Sequence, residues 1–436
     1  MRPQQLLVRM PRGSPGRKKA HGLPPPSPTR FGAGQPEAQV DKAAIVMEDP
    51  CPPFVPPVIS TMDHAQALVD EDQKLAIQFA VVPGLAFAVR RQAWICLVHG
   101  PPIFRETFLA LKHVFETVQR GRRDFSHTSL LAGADALRTL RNATVNDQTS
   151  LTRFLSLTAL LQSFDRLVHG ISTQVIMEST LIKVRSTQIA LDTEHQNISV
   201  ALTCLIFIDT ANCLLKSRIP IMKISPPHVD LPDRLAGLCG TLLPLLYNIC
   251  CLLHSIRKRG YSSYDVTTSI QWQEMYQAAL GWEPCRSSCV FENSSHRDRT
   301  VLLSQAYAYR AATILILDQV RPQAIEFPWG STEGRYGPLD DNVGIILDQA
   351  MECVKLINRP PPFTNVPLIV AALEAEGEER RGLLLELIQQ PSESVRYAHI
   401  PRLKEIVTEF WNDKDMGVVY SWLTFLQRTD LPSIFP

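Results

Sequence analysis

From residue 63 onward the apolar residues of this chain recur every three or four positions and nowhere alternate in twos. That spacing gathers them on one face of a helix, whereas a half-buried strand needs a period of two. Residues 149–168 show it most clearly, with Phe154, Leu157, Leu161, Phe164 and Val168 on a single stripe. No run of alternating β-branched residues bounded by a two-residue turn appears. The chain is therefore expected to be all-α, a body of many helices. No fixed-period repeat calls for a solenoid.

Breakers and caps divide the pattern. Ser60 or Thr61 can cap a helix running to residue 82, where Pro83-Gly84 breaks it. Pro101-Pro102 opens the next, through Ile103, Phe104, Phe108, Leu111 and Phe115 to a basic end at Arg120-Gly121-Arg122-Arg123. Further helices are expected at 178–190 and 199–215, then a long loop around Pro220, Pro226-Pro227 and Pro232. Another should span 233–256 and stop at Arg257-Lys258-Arg259-Gly260, cations and a glycine suiting a helix C-terminus. After a polar loop at 287–299, Val301, Gln305, Ala308, Tyr309, Ala312 and Ile316 share a face. A helix over 339–357 would start on Asp340-Asp341, favourable at the positive end of its dipole. Residues 366–388 read as an αα-hairpin, with Pro367 in a first turn and Gly377 interrupting between two apolar faces.

Residues 1–60 differ in kind. They are dense in proline and nearly free of aromatic residues, so they are expected to form a disordered basic, Pro-rich arm or linker ahead of a helical domain at 61–436. Arg17, Lys18 and Lys19 form a cluster that reads as a solvated tail or as a nuclear-import or phosphate-contact patch. The whole chain carries a formal net charge of only +1, so any pull toward a polyanion must be local. Ten cysteines in 436 residues, mostly inside apolar runs (Cys204, Cys213, Cys250, Cys251, Cys353), act as small hydrophobes of a reducing compartment. The longest apolar run, 242–253, falls short of a membrane span of about 20 residues, and no secretory leader is evident. A soluble intracellular protein with no membrane partner is expected.

Groups able to carry chemistry are sparse. Cys285, Cys289 and His296 supply three possible zinc ligands where a structural site needs four. Asp340-Asp341 lacks the further carboxylates of a magnesium–diphosphate site. No nucleophile elbow, phosphate loop or dinucleotide fingerprint occurs. His113, His169 and His254 sit within helices as core or surface residues. No catalytic, cofactor or metal residue is assigned.

The order of residues in several blocks is more particular. Pro367-Leu368-Ile369-Val370-Ala371, then Glu374-Ala375, then Arg380 or Arg381 resembles a block of the helical regulatory domain of fungal binuclear zinc-cluster transcription factors. Ala136-Leu137-Arg138-Thr139-Leu140-Arg141 and the helix after it are similar to another block of that domain. So are Phe207-Ile208-Asp209 with Ser217-Arg218, and Tyr307 through Asp318-Gln319-Val320. Ile406, Val407, Phe410-Trp411, Asp413, Asp415-Met416-Gly417 and Trp422 complete the series, which spans about residues 125–426. Within the hairpin, Glu374 and Arg380 or Arg381 are expected to be structural charges pairing across its turn.

The resemblance implies a fungal nuclear transcription regulator whose helical domain works by partner binding, dimerisation or small-molecule sensing. Its partners would be other transcription regulators or a second copy. The family's six clustered N-terminal cysteines are missing here, Cys51 being the only cysteine before position 96. Zinc is therefore expected only with a cluster upstream of Met1. DNA would be reached indirectly, through such a module, or through a relative with which the chain heterodimerises. The alternative reading is an all-α enzyme or small-molecule-binding protein with an apolar interior cavity.

Overall fold

The computed structural model describes residues 80–85, 97–98, 100–169, 174–187, 196–224, 232–259, 265–286, 289–322, 339–361, 363–394, 399–418 and 421–429. All lie in the second of two units into which the chain divides, Ile59–Pro436. Among them are fourteen α-helices and no strand; a single isolated bridge joins Asp233 and Gly237. The expected all-α class is what the chain adopts.

The first layer is α1 (Pro102–Gln119), α2 (His127–Asn142) and α3 (Gln148–His169), each packed on the other two. Pro102 occupies the first turn of α1, where its missing N–H costs nothing, and Gly121 leaves the helix at φ 72°. Ser126 caps α2 by accepting from Ser129 N at 3.2 Å. Phe108, Leu111 and Phe115 of α1 meet Phe164 and Leu167 of α3 in a cluster of their own.

The middle layer is α4 (Gln174–Ser186), α5 (Gln196–Lys216) and α6 (Leu243–Arg259), with α5 packed on α3, α4 and α6. The helix expected over 233–256 starts late. Asp233 Oδ1 accepts from Leu235 N and Ala236 N at 2.9 Å, turning the chain back before helix begins. Gly237 sits at φ 56°, and a Cβ there would lie 2.0 Å from Gln305 Oε1. A 3₁₀ turn, Cys239–Leu242, then leads into α6. The break expected at Pro83-Gly84 also moves: the bend falls at 80–82, and Pro83 and Gly84 lie in a helical turn.

The third layer is built on α9 (His296–Asp318). It follows α7 (Val266–Gly281) and the single turn α8 (Cys289–Glu292), and packs on α7, α10 (Leu339–Ile357) and α11 (Asn365–Glu374). Val301, Gln305, Ala308, Tyr309, Ala312 and Ile316 are all buried, as their spacing predicts. α12 (Glu378–Ser394) completes the expected hairpin with α11, Gly377 turning at φ 80°. α13 (His399–Asp415) closes over it, and α14 (Trp422–Arg428) runs back to α5.

Two segments are long and apolar enough to cross a membrane by length and composition, Cys239–Arg259 and His296–Asp318. Inside the fold 56% and 78% of their apolar windows are buried, which is how a helix apolar on most sides sits in a protein core.

Candidate functional site

Buried polar side chains are spread over many of the helices, and two clusters of polar groups tie together elements distant in sequence. The first lies where α9 and α11 end and α14 begins. Glu374, the last residue of α11, is half-buried, and its Oε1 accepts two hydrogen bonds. One comes from Gln319 Nε2 at 2.6 Å and the other from Trp422 Nε1 at 2.6 Å. Ser421 Oγ stands 3.3 Å from Gln319 Oε1. Burial raises the Glu374 carboxyl above its ordinary range, while the Trp422 and Gln319 donors pull it back down.

Glu374 is thus bonded to α9 and α14 and not to Arg381 across the hairpin turn. Arg381 reaches α13 instead, holding both oxygens of Asp415 at 2.6 and 2.9 Å. Its guanidinium lies over the Trp411 ring, 5.2 Å from the centroid, and Trp411 Nε1 donates to Ala372 O at 2.8 Å. Two separate clasps thus fasten the hairpin, one to α9 and α14 and one to α13. The arrangement positions helices.

The second place is Asp209, the one acid in the apolar run of α5 and 2% exposed. Its Oδ2 accepts from Ile221 N at 2.7 Å and its Oδ1 from the Cys213 thiol at 3.7 Å. Burial pushes the carboxyl up to about 6; the Ile221 and Cys213 donors oppose the rise, and the charge of Glu178 on α4 adds to it.

Asp209 so pins the loop that follows α5, and three other helices grip the same loop. Arg185 Nη1 of α4 donates to Ile221 O at 3.1 Å, and Arg257 Nη1 of α6 to Lys216 O at 3.1 Å. Gln427 Nε2 of α14 reaches Ser217 Oγ at 3.3 Å. Ser217 itself holds a positive φ of 48°, a conformation the surrounding bonds maintain. α14 therefore ties the two polar places together, Trp422 at one end and Gln427 at the other.

The remaining sequence candidates are placed as follows. Cys285 is half-buried, Cys289 lies in α8 and His296 is exposed at the start of α9. Among the described residues no group of three or more His, Cys, Asp or Glu could hold a metal ion. Asp340-Asp341 open α10 as expected. His169 pairs with Asp165 at 2.8 Å and His254 faces Ser217 O at 3.3 Å. Cys213 and Cys250 are buried thiols pushed upward by burial, inert as nucleophiles. Arg17, Lys18 and Lys19 lie outside the described residues, as does the rest of 1–60.

In the sequence Asp209 stands out through the family resemblance, and nothing marks Gln319 as a partner of Glu374. The signal for Asp209 was present, since one carboxylate alone in an apolar helix must find donors. No local signal exists for Gln319 or Trp422, which reach Glu374 across 55 and 48 residues. A family model described as the fungal specific transcription factor domain matches residues 110–435. No curated protein and no solved structure matches the chain.

Proposed function

We propose, from the premise that this chain belongs to the family of the fungal specific transcription factor domain, that it regulates transcription in the nucleus through its helical body. The family makes it a fungal transcription regulator. The observation that carries the reading is the extent of the match, residues 110–435, which takes in every helix from α2 to α14 and most of α1. Within that span, Asp209, Gln319, Glu374, Arg381 and Trp422 all form the clasps described above.

The finer reading is that this body acts by contact with other regulators or with a second copy. DNA is then reached through such a partner or through a zinc-cluster module outside this sequence. Arg17, Lys18 and Lys19 serve as the nuclear-import address, their charge concentrated in a segment with no acid before Glu37. The test is the location of a fluorescently tagged full chain across growth conditions. Nuclear signal that falls when Arg17, Lys18 and Lys19 are all replaced by alanine supports the reading. Exclusion from the nucleus under every condition would sink it.

A further inference from the structure

The loop at residues 216–224 has an outer surface as particular as its anchors. The cations that surround it come from four parts of the chain. Arg185 stands on α4, Arg218 and Lys223 on the loop, Arg257 and Lys258 on α6 and Arg428 on α14, and all six are exposed. Hydrogen bonds join these elements at the loop. Arg185 and Arg257 hold the loop backbone at 3.1 Å each, and Gln427, next to Arg428, bonds Ser217 at 3.3 Å. Lys223 is steadied by Asn248 Oδ1 at 3.2 Å.

Among the described residues of these elements carboxylates are few. Residues 216–224, α6 and α14 contain no Asp or Glu, and α4 contains only Glu178. Against a net charge of +1 for the whole chain, this is a strong local concentration of positive charge.

The patch is not merely basic. Ile219, between Arg218 and the buried Pro220, is 47% exposed. Ile182, one turn before Arg185 on α4, is 51% exposed, and Val175 on the same stripe is 71% exposed. A phosphate backbone would engage the cations and leave these side chains in water. A peptide carrying both acids and large apolar residues would use both, covering the isoleucines while its carboxylates meet the rim.

We infer that the loop at 216–224, with the ends of α4, α6 and α14, is a docking surface for an acidic peptide segment with apolar residues, supplied by a partner protein. The inference rests on the reading of this chain as a regulator that works through partners, and names the chemistry of one of them. Because Asp209 and three helices hold the loop, the surface exists before the peptide arrives, and little ordering cost falls on this side of the contact.

The experiment is fluorescence anisotropy with the full-length protein and a labelled synthetic peptide rich in aspartate and leucine. Its controls are the same peptide with serine for leucine, and a labelled double-stranded oligonucleotide. The aspartate–leucine peptide should bind, more weakly as salt is raised. The serine peptide and the oligonucleotide should bind about tenfold more weakly or worse. Arg218→Glu with Lys258→Glu should weaken peptide binding by about tenfold, and Ile219→Ser should weaken it at unchanged charge. Circular dichroism on each variant checks that the fold is intact.

Absence of peptide binding, or binding unmoved by the double charge reversal, overturns the proposal. Equal binding of the oligonucleotide with no effect of Ile219→Ser assigns the surface to nucleic acid and overturns it as well. A reporter assay separates the two claims. Peptide binding lost in the double variant with reporter output unchanged counts against the regulatory reading and leaves the surface standing. Unchanged binding with altered output does the reverse.

Discussion

Asp209 is a carboxylate that the fold prefers to keep neutral, and this fixes the sign of its effect on stability. Its ordinary value is 3.8 and burial takes it to about 6. Between those values the native state binds the proton more tightly, so its contribution is full below about pH 4 and is lost as pH rises through about 6. At 1.36 kcal/mol per pH unit, the loss is roughly 3 kcal/mol. Asparagine keeps an acceptor for the Ile221 amide and carries no charge. Asp209→Asn is therefore expected to be more stable than the parent by about 2–3 kcal/mol at pH 7.5 and equal to it at pH 4, read from urea midpoints. An equal offset at both pH values would mean that the carboxylate is not the cause. Glu374 gives the complementary case. Glu374→Ala leaves the Trp422 and Gln319 donors without their acceptor and should cost about 2 kcal/mol. Glu374→Gln retains Oε1 and should cost less than about half of that. Equal losses would show that the charge matters and the acceptor does not.

Between helices, one tight approach lies where α2 crosses α3. A Cβ built on Gly133 would stand 2.3 Å from Cε1 of Phe164, which is 4% exposed and fixed in the α1–α3 cluster. Alanine would gain up to about 1 kcal/mol of helix propensity and meet an overpacking cost of about 1–3 kcal/mol. The cost should win. Gly133→Ala is expected to lower the melting temperature by several degrees, and an unchanged or higher value would show that α2 can back away freely. Elements of this kind were legible in the sequence where apolar spacing and a cap agreed. α1 begins at Pro102 and α10 begins at Leu339 and ends at Ile357, as their residues dictate. Legibility failed at Asp233, where apolar spacing resumes but a side chain captures the backbone amides that a helix would use. α4 begins four residues before the expected Glu178, since the polar Gln174 breaks no rule of spacing.

At the scale of the molecule, the family and the all-α class could be read from residue order, while the pairings that hold the layers together could not. Spacing along one helix reports which face is apolar and says nothing about which distant group will meet it. Arg381 finds Asp415 across 34 residues, and Gln427 finds Ser217 across 210. Glu374, on the other helix of the hairpin, is bonded to Gln319 and Trp422 instead of to Arg381. The result is a helical body in which α14 bonds both to Glu374 and to the loop that Asp209 pins, with a basic, partly apolar surface at that loop.

The claim beneath all of this is that the body regulates transcription when brought to a promoter. The direct measurement is reporter output from the full chain fused to an unrelated DNA-binding module, compared with the module alone, in a fungal host. Output that departs clearly from that of the module, in either direction, is the result we expect. Output indistinguishable from the module alone, with the fusion folded and in the nucleus, would contradict the assignment.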